Sequence, residues 1–281
     1  ISKGMFLARN VLGNDGRILL VKGTKLTEGY LKKLKGLGYS YLYIGEKPED
    51  FKVKGPISDK VYIKAIAAVR EVLISVAKQQ NLDLRSVIEV TDFMIDEVME
   101  EDVIYNIIEL KNHNNYAYLH SVNVGVLAIL IGKALELERH QLKEMAAGAL
   151  LHDIGKVFIE NPILEKRGDL SDPEFDKIKY HPQYGYNLLK KLPELSLLSA
   201  HVAYQHHERL EGSGYPGALR GEMIHLYAKI VMVADSYDAM TSGRNYREAM
   251  WSHEALRELQ AAGAEKYDPK IVTVLTQEVA L

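Results

Sequence analysis

The chain has 281 residues, 47% of them hydrophobic, and a formal net charge of −3; that length and composition can bury a sizeable core and point to one larger and one smaller folded unit. The absence of cysteine excludes disulfides, thiolate nucleophiles and zinc–thiolate sites, so any metal must be held by imidazole and oxygen. The small net charge argues against long duplex nucleic acid as a partner, and with no apolar run of membrane-spanning length and no secretory signal pattern, a cytoplasmic setting is the expectation.

Residues 1–46 read as a small α+β accessory domain. The turn Asn14-Asp15-Gly16 lies between apolar stretches, and Ile18-Leu19-Leu20-Val21 has strand character. A short helix follows, capped by Thr27, with Leu31, Leu34 and Leu37 as its apolar stripe; Gly36 and Gly38 end it before the strand-like run Tyr39 to Ile44. The tyrosines here are read as sheet packing rather than a ligand box. Residues 47–57 form a linker, with Pro48, Gly55 and Pro56 among charges.

From residue 58 to 281 the pattern is helical. Tyr62, Ile66, Val69, Leu73 and Val76 recur at helical spacing, and Phe93, Val98, Met99, Val103, Ile107 and Leu110 continue in a second long helix. No chemistry is visible in either, so both are expected to pack or to transmit a signal. Tyr118 to Leu135 is apolar on nearly every face, as befits a central bundle helix, with His120 in its first turn. The next helix, about Gln141 to Lys156, carries Met145, Ala149, His152, Asp153 and Lys156 along one side, while Ala146, Ala147 and Gly148 permit close approach. After an irregular stretch from Val157, a helix is predicted from Asp172-Pro173 to about His181-Pro182. Another runs from about Leu195 to His207, ahead of the Gly-rich loop Glu211 to Gly217. A further helix sets Ala228, Val231, Asp235, Asp238 and Ala239 on one face.

An imidazole or carboxylate on an apolar helix face is costly to bury unless something compensates it, and metal ions compensate. Singly, each such residue is more simply a hydrogen-bonded core group. Together, His120, His152, Asp153, His181, His206, His207 and Asp235 fall at helix ends or on apolar faces of one predicted bundle, where inward carboxylates and imidazoles build dinuclear sites. Such a ligand set suits iron, manganese, nickel or zinc. His113, His140, His201, His225 and His253 lack this setting and are assigned surface or structural roles.

The pair His152-Asp153, with His206-His207-Glu208 and Gly214-Tyr215-Pro216, resembles the HD-GYP subgroup of the HD-domain phosphohydrolases. Ile154-Gly155-Lys156, His181-Pro182, Ala234-Asp235 and Asp238-Ala239-Met240-Thr241-Ser242 extend the resemblance over roughly Tyr116 to the C-terminus. It implies a mainly α protein: an HD-domain helical bundle, catalytic core about 116–281, behind a small amino-terminal accessory domain. It also implies hydrolysis of the cyclic dinucleotide cyclic di-GMP to pGpG, and onward to GMP, through a metal-bridging hydroxide, with iron or manganese as the metals.

Carried over by position, His120, His152, Asp153 and Asp235 would hold one metal, and Asp153, His181, His206 and His207 the other, with Asp153 as the bridge. One departure stands out: members with three metals have a glutamate where this chain has Tyr116, and a phenol with a reference pKa of about 10 is a poor ligand. Two metals are therefore expected and a third is disfavoured. Lys156, one turn from His152 and Asp153 on the same face, is expected to hold a phosphate oxygen or protonate the leaving group, where the plain alternative is a helix-end charge favoured by the dipole. Tyr215 would stack on a base or bond phosphate, Arg244 and Arg247 would grip phosphates with their guanidinium forks, and Asp238 would orient a ligand or relay a proton. Two competing readings are a non-catalytic cyclic di-GMP sensor and a hydrolase for another cyclic dinucleotide or a nucleotide polyphosphate. A second copy of the chain and a signalling partner at the amino-terminal domain complete the expected partners.

Overall fold

The computed structural model describes residues 5–13, 17–37, 39, 42, 44–47, 55–100, 116–166, 168–242 and 250–279. Asn14-Asp15-Gly16, Pro48, Val103, Ile107, Leu110, His113, Arg244 and Arg247 lie outside the described residues, as does the side chain of Tyr116.

The amino-terminal region is α+β, as expected. Strand β1 (Phe6–Leu7) pairs antiparallel with β4 (Ile44–Gly45), and β2 (Val11–Leu12) pairs antiparallel with β3 (Ile18–Leu20). Helix α1 (Glu28–Gly36) starts at Thr27, whose Oγ1 accepts from the Tyr30 amide at 3.2 Å. Leu7, Val11, Leu26, Leu34 and Tyr39 form a small apolar cluster of their own. Two expectations change. Among the described residues of the run Tyr39 to Ile44, strand structure begins only at Ile44, although Tyr39 is buried; Gly38, Ser40, Tyr41 and Tyr43 lie outside the described residues. Leu37 lies beyond the last turn of α1 and is 51% exposed, so the stripe stops at Leu34.

The remaining helices are α2 (Asp59–Ala77), α3 (Arg85–Glu100), α4 (Tyr116–Ala134), α5 (Arg139–Leu150), α6 (Asn161–Leu164), α7 (Asp172–Ile178), α8 (His181–Leu189), α9 (Leu197–Gln205), α10 (Leu226–Thr241), α11 (Ser252–Ala261), α12 (Gly263–Lys266) and α13 (Pro269–Glu278). The apolar sides of α2, α3, α4, α5, α8, α9, α10, α11 and α13 meet in one continuous core. Helix α4 runs through its centre because Val122, Val124 and Val126 to Ile131 present apolar surface all round; α2, α5, α10 and α13 pack against it. Among the described residues no helix is long and apolar enough to cross a membrane.

Two helix boundaries differ from expectation, and both matter for the site. Helix α5 does not continue to Lys156: it ends at Leu150, Leu151 to Asp153 form a turn, and Ile154–Phe158 is a 3₁₀ segment. The helix from Asp172 does not reach His181 either. It closes at Ile178, and His181 opens α8, with Pro182 in its first turn. Proline there acts as a helix starter, since its missing N–H would have had no intrahelical acceptor.

Close approach of α5 and α9 brings the ends of these two helices together. A Cβ on Gly148 would stand 2.8 Å from the Ser199 carbonyl oxygen and 2.9 Å from the Val202 Cβ. Gly148→Ala would gain up to about 1 kcal/mol in helix propensity but force apart two packed backbones, at a cost of about 1–3 kcal/mol. The clash wins: the substitution should lower the melting temperature by several degrees, measured by circular dichroism, and an unchanged or raised value would contradict this packing.

Candidate metal centre

The candidate residues arrive from five places in the sequence. His120 sits in the first turns of α4, His152 and Asp153 in the turn after α5, His181 at the start of α8, His206 and His207 just past α9, and Asp235 in the middle of α10. Gly155 makes one of these encounters possible. A Cβ at that position would overlap the His181 carbonyl oxygen and the Gly185 amide, so only glycine lets α8 lie against the 3₁₀ segment.

The structure brings all seven side chains together. Asp153 Oδ1 lies 3.3 Å from His181 Nε2 and 3.7 Å from His206 Nε2, while Asp153 Oδ2 lies 3.4 Å from His152 Nε2 and 3.7 Å from His120 Nε2. Asp235 completes the other side: Oδ1 is 3.1 Å from His120 Nε2 and Oδ2 is 3.9 Å from His207 Nδ1. The donor atoms of Asp153, His181, His206 and His207 lie within 4.8 Å of one another, as do those of His120, His152 and Asp153, and those of His152, His206 and Asp235.

The imidazoles are oriented from behind. The Nδ1 of His152, His181 and His206 contacts the carbonyl oxygen three residues earlier, Ala149 at 2.7 Å, Ile178 at 2.7 Å and Ala203 at 2.9 Å. His120 Nδ1 instead faces Asp238 Oδ2 at 2.7 Å. Each contact requires a proton on Nδ1, which leaves Nε2 as a bare lone pair aimed inward. Two such nitrogens, on His181 and His206, face each other at 3.3 Å. His152 Nε2 and Asp153 Oδ1 are buried without a hydrogen-bond partner. Converging lone pairs and orphaned buried acceptors are costly in a protein interior, and a cation between them removes the cost. A divalent metal site is the arrangement these side chains fit.

The electrostatics agree. Burial pushes the His181 imidazole down, pushes His206 down to about 4 and, with His206 alongside, holds His207 well below its ordinary value. Burial opposes ionisation of Asp153 and Asp235, yet Lys156 and His152 beside the first, and the His120 imidazole against the second, hold both well below the usual carboxylate range. These groups are therefore in the metal-binding form at neutral pH. His152 is the exception: burial resists its protonation, but the Asp153 carboxylate prevails and raises its pKa.

Lys156 Nζ contacts Asp153 Oδ2 at 2.6 Å and its side chain is 33% exposed. It reaches the centre from the 3₁₀ segment rather than from a continuing α-helix. Asp238 lies behind His120, 2% exposed. Tyr215 is half-buried at the rim, its ring centroid 4.8 Å from that of His207 and 6.2 Å from that of Phe175. Of the other histidines, His140 and His253 are exposed, His201 packs its ring on Tyr186, and His225 caps α10, accepting from the Tyr227 amide.

Three side chains contribute that the sequence reading left without a role. Glu208 is fully buried and accepts from the Gly217 amide at 2.7 Å and the Leu219 amide at 3.0 Å, clamping the Gly214-Tyr215-Pro216 loop onto the His206-His207 turn. A Cβ on Gly214 would collide with the backbone of Glu208 and Arg209, which accounts for the glycine. Asn123 and Tyr62 extend the network behind His120: Asn123 Nδ2 donates to Asp238 Oδ1 at 3.0 Å, and the Tyr62 hydroxyl donates to Asn123 Oδ1 at 2.9 Å. The available signal was a polar residue, Asn123, one turn after His120 on an otherwise apolar helix.

A sequence profile of the HD domain matches residues 102–271. The chain belongs to the HD-domain family. It is 35% identical over 219 residues to cyclic di-GMP phosphodiesterase PA4108 of Pseudomonas aeruginosa, covering 78% of this chain and 53% of that protein. It is also 35% identical over 166 residues to 3′3′-cGAMP-specific phosphodiesterase 3 of Vibrio cholerae, covering 59% of this chain and 36% of that protein. This HD-domain protein thus spans about half or less of the length of these curated relatives. The solved structure of Bd1817, a HDG"Y"P protein from Bdellovibrio bacteriovorus, superposes with a TM-score of 0.60 at 18% identity, covering 99% of this chain and 95% of that one, and supports the fold.

Two outcomes test this geometry. Replacing Glu208 by Gln turns one acceptor into a donor facing a backbone amide, and should cost about 1–3 kcal/mol while making the 212–217 loop more susceptible to limited proteolysis; an equally stable and protected variant would refute the clamp. Because a proton on His152 must leave before an ion can bind, and its pKa is raised, Mn²⁺ affinity should rise with pH through and above 6.5, by about tenfold per pH unit while that proton is present. Competition titrations from pH 6 to 8.5 measure this, and a flat profile would count against His152 as a ligand.

Proposed function

We propose that the protein is a two-metal phosphodiesterase of the HD-GYP type that opens cyclic di-GMP to linear pGpG, with GMP as a further product. The observation that carries this reading is Asp153, whose two oxygens point at two separate groups of imidazoles. His120, His152, Asp153 and Asp235 would hold one ion and Asp153, His181, His206 and His207 the other, with iron or manganese favoured. Tyr116 at the head of α4 is the sequence ground for two ions rather than three. Two divalent ions held there would supply a hydroxide nucleophile at neutral pH and would neutralise charge on the phosphoryl oxygens.

The chain's own groups bind and steer the substrate. Lys156 lies against Asp153 Oδ2 and is partly exposed; its ammonium would hold a phosphate oxygen or give a proton to the leaving 3′ oxygen. Tyr215 offers a base-sized ring at the rim. Arg244 and Arg247, outside the described residues, are proposed to bind phosphate through their forks. Asp238 orients His120 from behind.

A second reading has one specific support: the similar Vibrio protein is named for 3′3′-cGAMP, which makes that mixed cyclic dinucleotide the alternative substrate. A pure sensor has less in its favour, because binding alone needs no such ligand set. In either reading, residues 1–46 form the accessory unit, 47–57 the linker, and 58–281 the catalytic part. The protein is proposed to act in the cytoplasm, with the accessory unit meeting a signalling partner or a second copy.

Protein loaded anaerobically with Fe²⁺ or Mn²⁺ should convert cyclic di-GMP to pGpG, resolved chromatographically, faster than 3′3′-cGAMP. No turnover of either nucleotide with either metal would overturn the enzymatic reading, and preference for 3′3′-cGAMP would reassign the substrate. Asp153→Ala should reduce metal content below one ion per chain and lower turnover by more than about 100-fold, the upper end of the loss for changing an outer partner of a metal ligand. Full retention of two ions would rule out the shared carboxylate.

A further inference from the structure

The two-metal reading leaves Tyr62 and Asn123 unexplained, although they lie in one buried line with a proposed ligand. Tyr62 is on α2, a helix assigned only packing or signal transmission from its sequence, and it is 4% exposed. Its hydroxyl donates to Asn123 Oδ1 at 2.9 Å; Asn123 Nδ2 donates to Asp238 Oδ1 at 3.0 Å; Asp238 Oδ2 faces His120 Nδ1 at 2.7 Å. His120 Nε2 then points at Asp235 Oδ1, 3.1 Å away, and at Asp153 Oδ2, 3.7 Å away. Asn123, Asp238 and His120 are each at most 2% exposed.

The order of donors fixes the order of effects. Flipping the Asn123 amide would set its oxygen against the Asp238 carboxylate, two acceptors with no proton between them, so the amide nitrogen must face Asp238. The Tyr62 hydroxyl, donating to the far side of that amide, reinforces the same orientation. Asp238, also reached by Ser242 Oγ at 3.2 Å, is thereby held with one oxygen against His120. That contact selects the imidazole tautomer carrying its proton on Nδ1, the one that leaves Nε2 free to bind an ion.

We propose that Tyr62 and Asn123 are positioning residues for the metal held by His120, acting through Asp238, and that α2 therefore sets the affinity of one metal position and not the other. This inference rests on the two-metal reading of the site but not on the identity of the substrate. The same helix reaches the amino-terminal unit: Asp59, one turn before Tyr62, accepts a hydrogen bond from Asn10 Nδ2. A displacement of α2 that parts Tyr62 from Asn123 would weaken metal binding at His120 without touching a ligand.

The test uses the full chain, with Tyr62→Phe and Asn123→Leu. Mn²⁺ is titrated against a competing chelating indicator, and the His120 tautomer is followed in ion-free protein by ¹⁵N NMR at one fixed pH. In both variants one class of Mn²⁺ site should weaken about 10- to 100-fold, as for other partners behind metal ligands, while the second class keeps its wild-type affinity. The His120 signal should shift from the Nδ1–H form towards a mixture. Unchanged affinities with an unchanged tautomer would overturn the proposal. So would equal weakening of both classes alongside a lowered melting temperature, which marks a purely structural role. A wild-type chain that takes up no Mn²⁺ or Fe²⁺ would sink the two-metal reading and this inference with it.

Discussion

Asp153 is a buried carboxylate with imidazoles on both sides, and the surrounding structure depends on satisfying it. In an ion-free interior its charge is balanced by Lys156 on one oxygen, while the other has no hydrogen-bond partner. An uncompensated charge at such a depth would cost several kcal/mol. The bundle therefore cannot be explained by its apolar core alone: α4, α5, α8, α9 and α10 meet at carboxylates that Lys156 and the imidazoles hold ionised, with one Asp153 oxygen left open to a cation. The tight approach at Gly155, where α8 presses against the 3₁₀ segment, belongs to the same constraint, because it places His181 beside Asp153.

The histidines show how helix ends serve this centre. A helix leaves its last carbonyls without intrahelical donors. His152 follows α5, His181 follows α7 and His206 follows α9, and each turns Nδ1 back to the carbonyl three residues earlier. One contact satisfies an end-of-helix acceptor and orients an imidazole. His120 cannot use this device, since it sits in the opening turns of α4 and not beyond a helix end. Its Nδ1 takes a carboxylate instead, and Asp238 must then be held by Asn123 and Ser242. The longer network behind His120 follows from its place in the helix.

The sequence exposed the centre because polar groups interrupted strongly apolar patterns: His152, Asp153 and Asp235 stand where a core residue belongs. The same periodicity misjudged where helices stop. Met145, Ala149, His152 and Lys156 keep helical spacing across a point where the backbone turns, and nothing in that spacing marks the end of α5 at Leu150. Pro182 carried a boundary signal that was assigned to the end of the preceding helix rather than the start of the next. Tyr62 was invisible for a different reason. Its partner is 61 positions away, and on α2 its ring fits the apolar stripe whether or not the hydroxyl has work to do. Glu208 was legible as a motif letter, but its clamp on Gly217 and Leu219 emerges only when the loop folds back.

The arrangement also separates chemistry from recognition. In the proposed reaction two cations would grip a phosphodiester that is the same group in every cyclic dinucleotide, so the seven inward side chains would not discriminate between bases. Discrimination must arise where a base can reach, which directs attention to the rim. There the Tyr215 ring is pinned between His207 and Phe175, and its loop is anchored by Glu208 and by the Tyr215 amide, which donates to the His207 carbonyl oxygen at 3.2 Å. A ring fixed in this way presents a flat apolar face without losing conformational freedom on binding, which favours stacking. Stacking accepts either purine, however. A preference between guanine and adenine needs hydrogen-bonding groups aimed at the base edge, and a pocket that provides them rejects the wrong base far more strongly than shape alone. In the proposed function, then, the metal centre would account for cleavage and the rim for the choice of substrate.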